Sequence, residues 1–242
     1  MQDRYAGDIG DYGKFGLLRT LSAAGLSIGV NWYKTIPSMT EFARDDGKYR
    51  IPQGLFHCDE KLANTLYAIS RSDNPERSIQ SLEAAKLIDG AVYFSDPIPI
   101  ADRSIWHAKA MTTLGGCDLV FLDPDNGLLV KSVSPRSSKS VKYALYEEVG
   151  AYVAAKQSVV IYNHRCRKKW ETYSKSIAEQ LRLKSGLLDQ PVRVITFPRF
   201  SVRDYFIISA TPVHDQKIQS ALRSIGNSVW NSSGMCKTSA ML

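Results

Sequence analysis

The sequence predicts an α/β protein: a single domain with a mostly parallel central sheet, helices on both faces and an antiparallel hairpin at one edge. Three observations carry that prediction. Apolar runs of strand length alternate with stretches of helical period, the pattern of a parallel sheet with crossover helices. The runs SIGV (27–30), LVFL (119–122) and SVVIY (158–162) are apolar almost throughout, as central strands covered on both faces should be. The last two runs, Val192–Phe197 and Tyr205–Ala210, flank PRFSVRD and read as the antiparallel edge.

The elements follow in order. Gly13–Ala24 has apolar residues at helical spacing and ends at Gly25, a plausible C-cap. Leu26–Lys34 reads as a strand, and residues 35–54 as a polar, Pro/Gly-punctuated loop. Glu60–Ser70 and Glu76–Ile88 read as helices joined by the turn-like Ser72-Asp73-Asn74-Pro75. Ala91–Ser95 is a short strand, Ala101–Leu114 a helix and Asp118–Leu122 a strand. Val141–Lys156 reads as a helix, Ser158–Tyr162 as a strand and Arg167–Lys184 as a long amphipathic helix. After the hairpin comes a last helix, His214–Ile225. Residues 226–242 carry little periodicity and read as a flexible tail beyond a single catalytic domain of residues 1–225. There is no internal repeat.

Composition narrows the class. The chain has 242 residues, 44% hydrophobic and 23% charged, which is an ordinary globular balance. No apolar run approaches the roughly 20 residues of a membrane span, and MQDRYAGDIGDYG has no secretory features, so a cytoplasmic protein is expected. Four scattered cysteines show no zinc spacing, and no metal is expected. A net charge of +7 and a pI near 9.2 favour a polyanionic partner, DNA in this reading.

Open α/β sheets bind ligands beyond the carboxyl ends of their strands. The stretch LVFLDPDNGLL delivers Asp123, Asp125 and Asn126 there; SVVIY delivers Asn163 and His164; and Asn31 and Tyr33 lie late in the first strand. Three apolar strands bringing polar groups to one rim is more than turn chemistry requires. Breaking an N-glycosidic bond develops positive charge on the sugar, which calls for a carboxylate near that charge or activating a water. Asp123 or Asp125 would supply it, with Asn126, Asn163, Asn31 and Tyr33 holding the base and His164 stabilising the leaving group. Asp123 is the better choice, because the strand fixes its backbone and Pro124 stiffens the next turn. Asp125 could equally be the turn's own hydrogen-bonding residue.

Two further segments extend the site. In GDIGDYGKFG the glycines could form an anion-binding nest, with Lys14 on a phosphate and Tyr12 as a stacking residue. The same segment reads equally as a helix start with Asp11 as N-cap. In RCRKKW, Arg165, Arg167, Lys168 and Lys169 could clamp phosphates, or form a solvated helix start; Arg199 and Arg203 would extend the strip. His57, His107 and His214 read as surface or packing residues, and Asp8, Asp96 and Asp118 as caps.

Resemblances bear on these readings. A strand followed by DPDN resembles the fourth motif of adenine-type, S-adenosylmethionine-dependent methyltransferases, as do the closing hairpin and the helix before the first strand. The first strand, however, runs into NWYKTIPS without the glycine-rich turn that family uses for its cofactor, and DPDN lacks the second proline and the stacking aromatic. Uracil-type DNA glycosylases offer an analogy of strand-end Asp-Pro and His motifs, without matching spacing or order. YAGDIGDYGKFGLLR, FLDPDNGL and the strand followed by a His-containing basic segment together resemble a bacterial family found near phage-defence genes. Some of its members are DNA glycosylases that remove glucosylated hydroxymethylcytosine. That resemblance, over residues 3 to 210, implies base flipping and excision to an abasic site, in antiviral defence. The residue roles above come from this sequence, which suggests no cofactor. A methyltransferase and a non-catalytic nucleic-acid-binding module are the alternative classes.

Overall fold

Seven strands make up the central sheet of the computed structural model. From one edge they run β2 (Val92–Phe94), β1 (Ile28–Asn31), β3 (Leu119–Leu122), β6 (Ser158–His164), β8 (Arg203–Ile208), β7 (Val192–Phe197) and β9 (Lys237–Thr238). The first four are mutually parallel; β8 is antiparallel to both β6 and β7, and β9 is antiparallel to β7. A separate parallel ladder joins β4 (Gly127–Leu128) to β5 (Tyr143–Ala144). The structure describes residues 1–36, 49–71, 76–165 and 169–238.

The expected α/β class is thus found, with the three fully apolar runs at the centre. Successive side chains of a strand point to opposite faces, and each face carries its own core. Leu119 and Phe121 join one core with helices α1 (Ile9–Ala23), α2 (Glu60–Ser70), α3 (Ile79–Ala84) and α7 (Pro212–Gly226). Val120 and Leu122 join the other with α4 (Arg103–Thr113), α5 (Tyr146–Ala154) and α6 (Trp170–Lys184). Among the described residues no helix is long and apolar enough to cross a membrane.

Local chemistry sets the helix ends. Asp8 caps α1 by accepting from the Asp11 amide, and Asp59 caps α2 by accepting from Leu62. Thr211 caps α7, whose first position is proline. Helix α1 thus begins four residues before the sequence reading placed it, and Asp8, not Asp11, is its N-cap. Helix α5 begins at Tyr146, because Lys142–Ala144 are drawn into pairing with β4 and the Leu145 amide donates to the Glu148 side chain. Helix α3 is shorter than expected and starts after its cap, Ser78. The turn 72–75 lies outside the described residues.

The C-terminal stretch requires a larger correction. Residues 226–238 are not a loose tail: they form helix α8 (Val229–Ser232) and edge strand β9. Trp230, Met235 and Cys236 are buried in the first core. Gly16 of α1 makes room for Trp230, as Gly13 does for Phe197 and Gly10 for Arg203. A Cβ on Gly16 would lie 2.5 Å from the Trp230 ring, and one on Gly13 2.6 Å from the Phe197 ring. Their spacing of three keeps them on one helix face.

Candidate active site

The rim at the carboxyl ends of β3 and β6 is closed on one side by the first turns of α1. Between them lies a cavity of about 500 Å³, within the range of small-ligand sites. Asp123 extends the β3 ladder, its amide donating to Asn31, and its side chain turns inward. Its Oδ2 accepts from Lys14 Nζ at 2.6 Å, and the same ammonium lies 2.7 Å from Asp11 Oδ1. Among the described residues Asp123 Oδ1 takes no hydrogen bond. Burial raises the Asp123 carboxyl above the ordinary range, against the pull of Lys14 and the Met1 amino group. Lys14 is buried too, yet Asp11 and Asp123 hold its ammonium well above the usual lysine range.

Asp125 has a different environment. Its Oδ1 pairs with the Met1 amino group at 2.9 Å, and its Oδ2 accepts from Gln2 at 2.7 Å and Thr35 at 2.8 Å. Burial would raise its pKa, but the ammonium and these donors hold it below the ordinary value. Asp125 is therefore the hydrogen-bonding hub of its turn. Asn126 is exposed at the rim, where its backbone joins Lys142 to His164. Gly127 has φ +112°, and a Cβ there would lie 2.3 Å from the Asn163 side chain.

Asp8, read from sequence only as a cap, also lines the cavity. Burial, then the neighbouring Asp11 carboxylate, pushes its pKa up to about 6, against the attraction of Arg203. Gly10 permits that approach, since a Cβ there would come within 3.0 Å of Arg203 Nε. Tyr162 also lines the cavity, with its phenol raised to about 12 by burial. His164 stands at the mouth; burial and Arg203 hold its imidazole below the ordinary value, so it is neutral at pH 7.

The structure therefore gathers Asp123, Asp125, Asn126, His164, Lys14 and Arg203 around one cavity and leaves other expected residues elsewhere. Tyr12 is fully buried, its hydroxyl donating to Leu55, and is not a stacking residue. Asn31 donates to Tyr152, Tyr33 to Glu148, and Asn163 to Tyr173; all three are core residues away from the cavity. Lys14 is not a phosphate partner on the surface but the cation of an internal carboxylate pair. No glycine nest awaits an anion, because Asp8 and Asp11 accept the Asp11 and Gly7 amides and Tyr49 accepts that of Ile9.

Arg165 is committed to Asp204 through two of its nitrogens, and Arg203 is buried at the cavity wall. Arg199 is exposed and donates to the Ser233 carbonyl, and Lys169 is exposed at the start of α6. Arg167 and Lys168 lie outside the described residues. His57 is exposed, His107 packs edge-on against Tyr152, and His214 lies between Ser158 and Asp118.

The sequence reading missed Asp8, Asp11 and Tyr162. The signal for the first two was present: aspartates three apart at a helix start share a face. No family model matches this chain, and neither a curated protein nor a solved structure matches it.

Proposed function

We propose that the protein is a DNA glycosylase that extrudes a modified base of phage DNA and hydrolyses its N-glycosidic bond. One observation carries this reading: two buried carboxyls in different surroundings, Asp8 beside Asp11 and Arg203 and Asp123 on the Lys14 ammonium, line one cavity at the strand ends. Environments that set two carboxyls apart allow one to donate a proton while the other remains ionised. In this mechanism, water adds its oxygen to the sugar C1′ as the C1′–N bond breaks, and the bonding electron pair leaves with the base. Protonated Asp8 supplies a proton to that base, and Asp123 accepts the proton that water loses. Lys14, 2.6 Å from Asp123, favours its anionic form and opposes the effect of burial. Neutral His164 and Asn126 contact the base edge.

Incubating the protein with unmodified and phage-modified DNA, followed by mass spectrometry of released bases, tests this. Free base with an abasic strand supports it, and intact strands from every substrate overturn it. Adenine-type methyl transfer is the second reading, favoured by hairpin strand β8 lying reversed between β6 and β7. The residues after β1 do not fit S-adenosylmethionine. The Trp32 and Tyr33 rings are fully buried there, and their carbonyls accept from the Met1 amino group. A calorimetric titration with S-adenosylmethionine separates the two readings.

A further inference from the structure

A second cavity, of about 690 Å³, adjoins the first, and Asn126 and Lys142 line both. Apolar side chains make up part of its lining: Ile98 and Val141 contribute to it, and Ile36 and Ile100 are 78% and 67% exposed. Lys139 and Lys142 are its charged residues, and no carboxylate lines it. One wall is the loop between β4 and β5. From Gly127 to Tyr146 the sequence contains Lys131, Arg136, Lys139 and Lys142 and not one Asp or Glu. Lys131, Arg136 and Lys139 are exposed and have no carboxylate partner among the described residues.

The loop is held in place. Arg103, itself anchored on Glu148, donates to the carbonyls of Ser140 and Tyr143, and turns at Ser134–Ser137 and Ser137–Ser140 brace its middle. A fixed, acid-free basic wall facing apolar side chains matches an alternation of phosphate and base. A cavity of this volume has room for one unpaired nucleotide, which a base stacked within a duplex could not enter without leaving the stack.

We propose that this second cavity seats the nucleotide flanking the extruded one on a single-stranded stretch of DNA, with the connecting phosphates on the Lys139 and Lys142 side. The inference deepens the preceding reading, since it takes the first cavity to hold a nucleotide. It gives the positive charge of the chain a specific place, which the arginines spent on internal carboxylates do not. Apolar side chains receive a base face without regard to its identity, while the lysines follow the backbone.

The test measures fluorescence polarisation of a labelled single-stranded oligodeoxythymidylate, and of the same length of duplex, over a series of salt concentrations. Two variants are compared with the parent: the triple replacement Lys131→Ala, Arg136→Ala and Lys139→Ala, and Ile100→Glu. None of these residues lines the first cavity, and unchanged thermal melting of each variant controls for folding. For the triple variant the log–log salt slope for single strands should flatten by about 0.7 per lost phosphate contact. Ile100→Glu should weaken single-strand binding at least about tenfold and leave duplex binding unchanged, since it places an acid where a base face rests.

Parental affinity in both variants would overturn the proposal, as would equal losses on single strand and duplex. Binding of anionic phosphatidylserine vesicles but not of oligonucleotide would also overturn it. The outcome is independent of base release: a parent that binds strands as described but excises nothing refutes the glycosylase reading alone. Base release with unaltered strand binding in both variants refutes this inference alone.

Discussion

Lys14 Nζ stands between Asp123 Oδ2 at 2.6 Å and Asp11 Oδ1 at 2.7 Å, joining the first helix to the end of the third strand across more than a hundred residues. The three side chains are almost completely buried. Removing the cation from such a group costs more than the pair contributes, because two buried carboxylates are left without their counter-ion.

Lys14→Met should therefore lower stability by about 3–5 kcal/mol at neutral pH. The deficit should narrow in acid, where Asp123 takes up a proton. Urea denaturation of parent and variant across pH checks this. A constant deficit would mean that lost packing, not charge, is responsible.

Asp8 makes a second pH-dependent prediction. Its folded pKa of about 6 lies above the ordinary 3.8, so the native state holds the proton more tightly than the unfolded chain. Its stabilising contribution is fully present below pH 3.8 and is lost as pH rises through about 6. Asp8→Asn keeps a capping oxygen and removes the titration. The melting temperature of the variant should vary less than that of the parent over this window, and base release should lose the alkaline decline set by Asp8. A parental pH profile in the variant would exclude Asp8 as the proton donor.

Asp123 and Asp125 should separate in their effects. Asp123→Asn should reduce base release by roughly 100-fold or more while leaving DNA affinity nearly intact. Asp125→Asn should act chiefly on stability, by about 1–3 kcal/mol, because it weakens the attachment of Met1, Gln2 and Thr35. Parental turnover in both variants would reduce DPDNG to a turn.

Trp230 tests the C-terminal packing. Its ring lies 4.7 Å from Tyr12 and 6.4 Å from Phe197, flush against Gly16. Trp230→Ala should cost about 3–5 kcal/mol, as deletion of a buried aromatic does. A loss below about 1 kcal/mol, measured by chemical denaturation, would argue against burial.

Tyr205 predicts the opposite sign. Its hydroxyl is buried and has no hydrogen-bond partner among the described residues. Tyr205→Phe should leave stability unchanged or raise it by about 1 kcal/mol, since a desolvated, unpaired group is removed. A comparable loss in thermal melts would reveal a partner for the hydroxyl.

Much of the fold was legible because strand burial is written locally. LVFL and SVVIY are apolar on both faces, and that alone places them centrally. Asp123 was legible for the same reason, as the first polar residue after such a run. What was hidden depends on partners far along the chain. Whether Asn31, Tyr33 and Asn163 face a ligand or the core is decided by Tyr152, Glu148 and Tyr173, none adjacent in sequence. The glycines of α1 suggested an anion nest, since the same spacing serves close packing, and only Phe197, Trp230 and Arg203 distinguish the two. The final segment lacks period because its helix is a single turn, Val229–Ser232, and its strand only Lys237–Thr238, too short to repeat a pattern.

The glycine-lined face of α1 has a consequence for synthesis. It is covered by Phe197, Arg203 and Trp230, which leave the ribosome long after the helix itself. Domains fold as units once enough of the chain has emerged, so Asp8 and Lys14 wait for the wall that completes their cavity until the hairpin has been made. A ribosome stalled before the hairpin would present a nascent chain that carries the carboxylates and lacks the arginine. Assembly of the site is thereby reserved for chains that have been read past the hairpin.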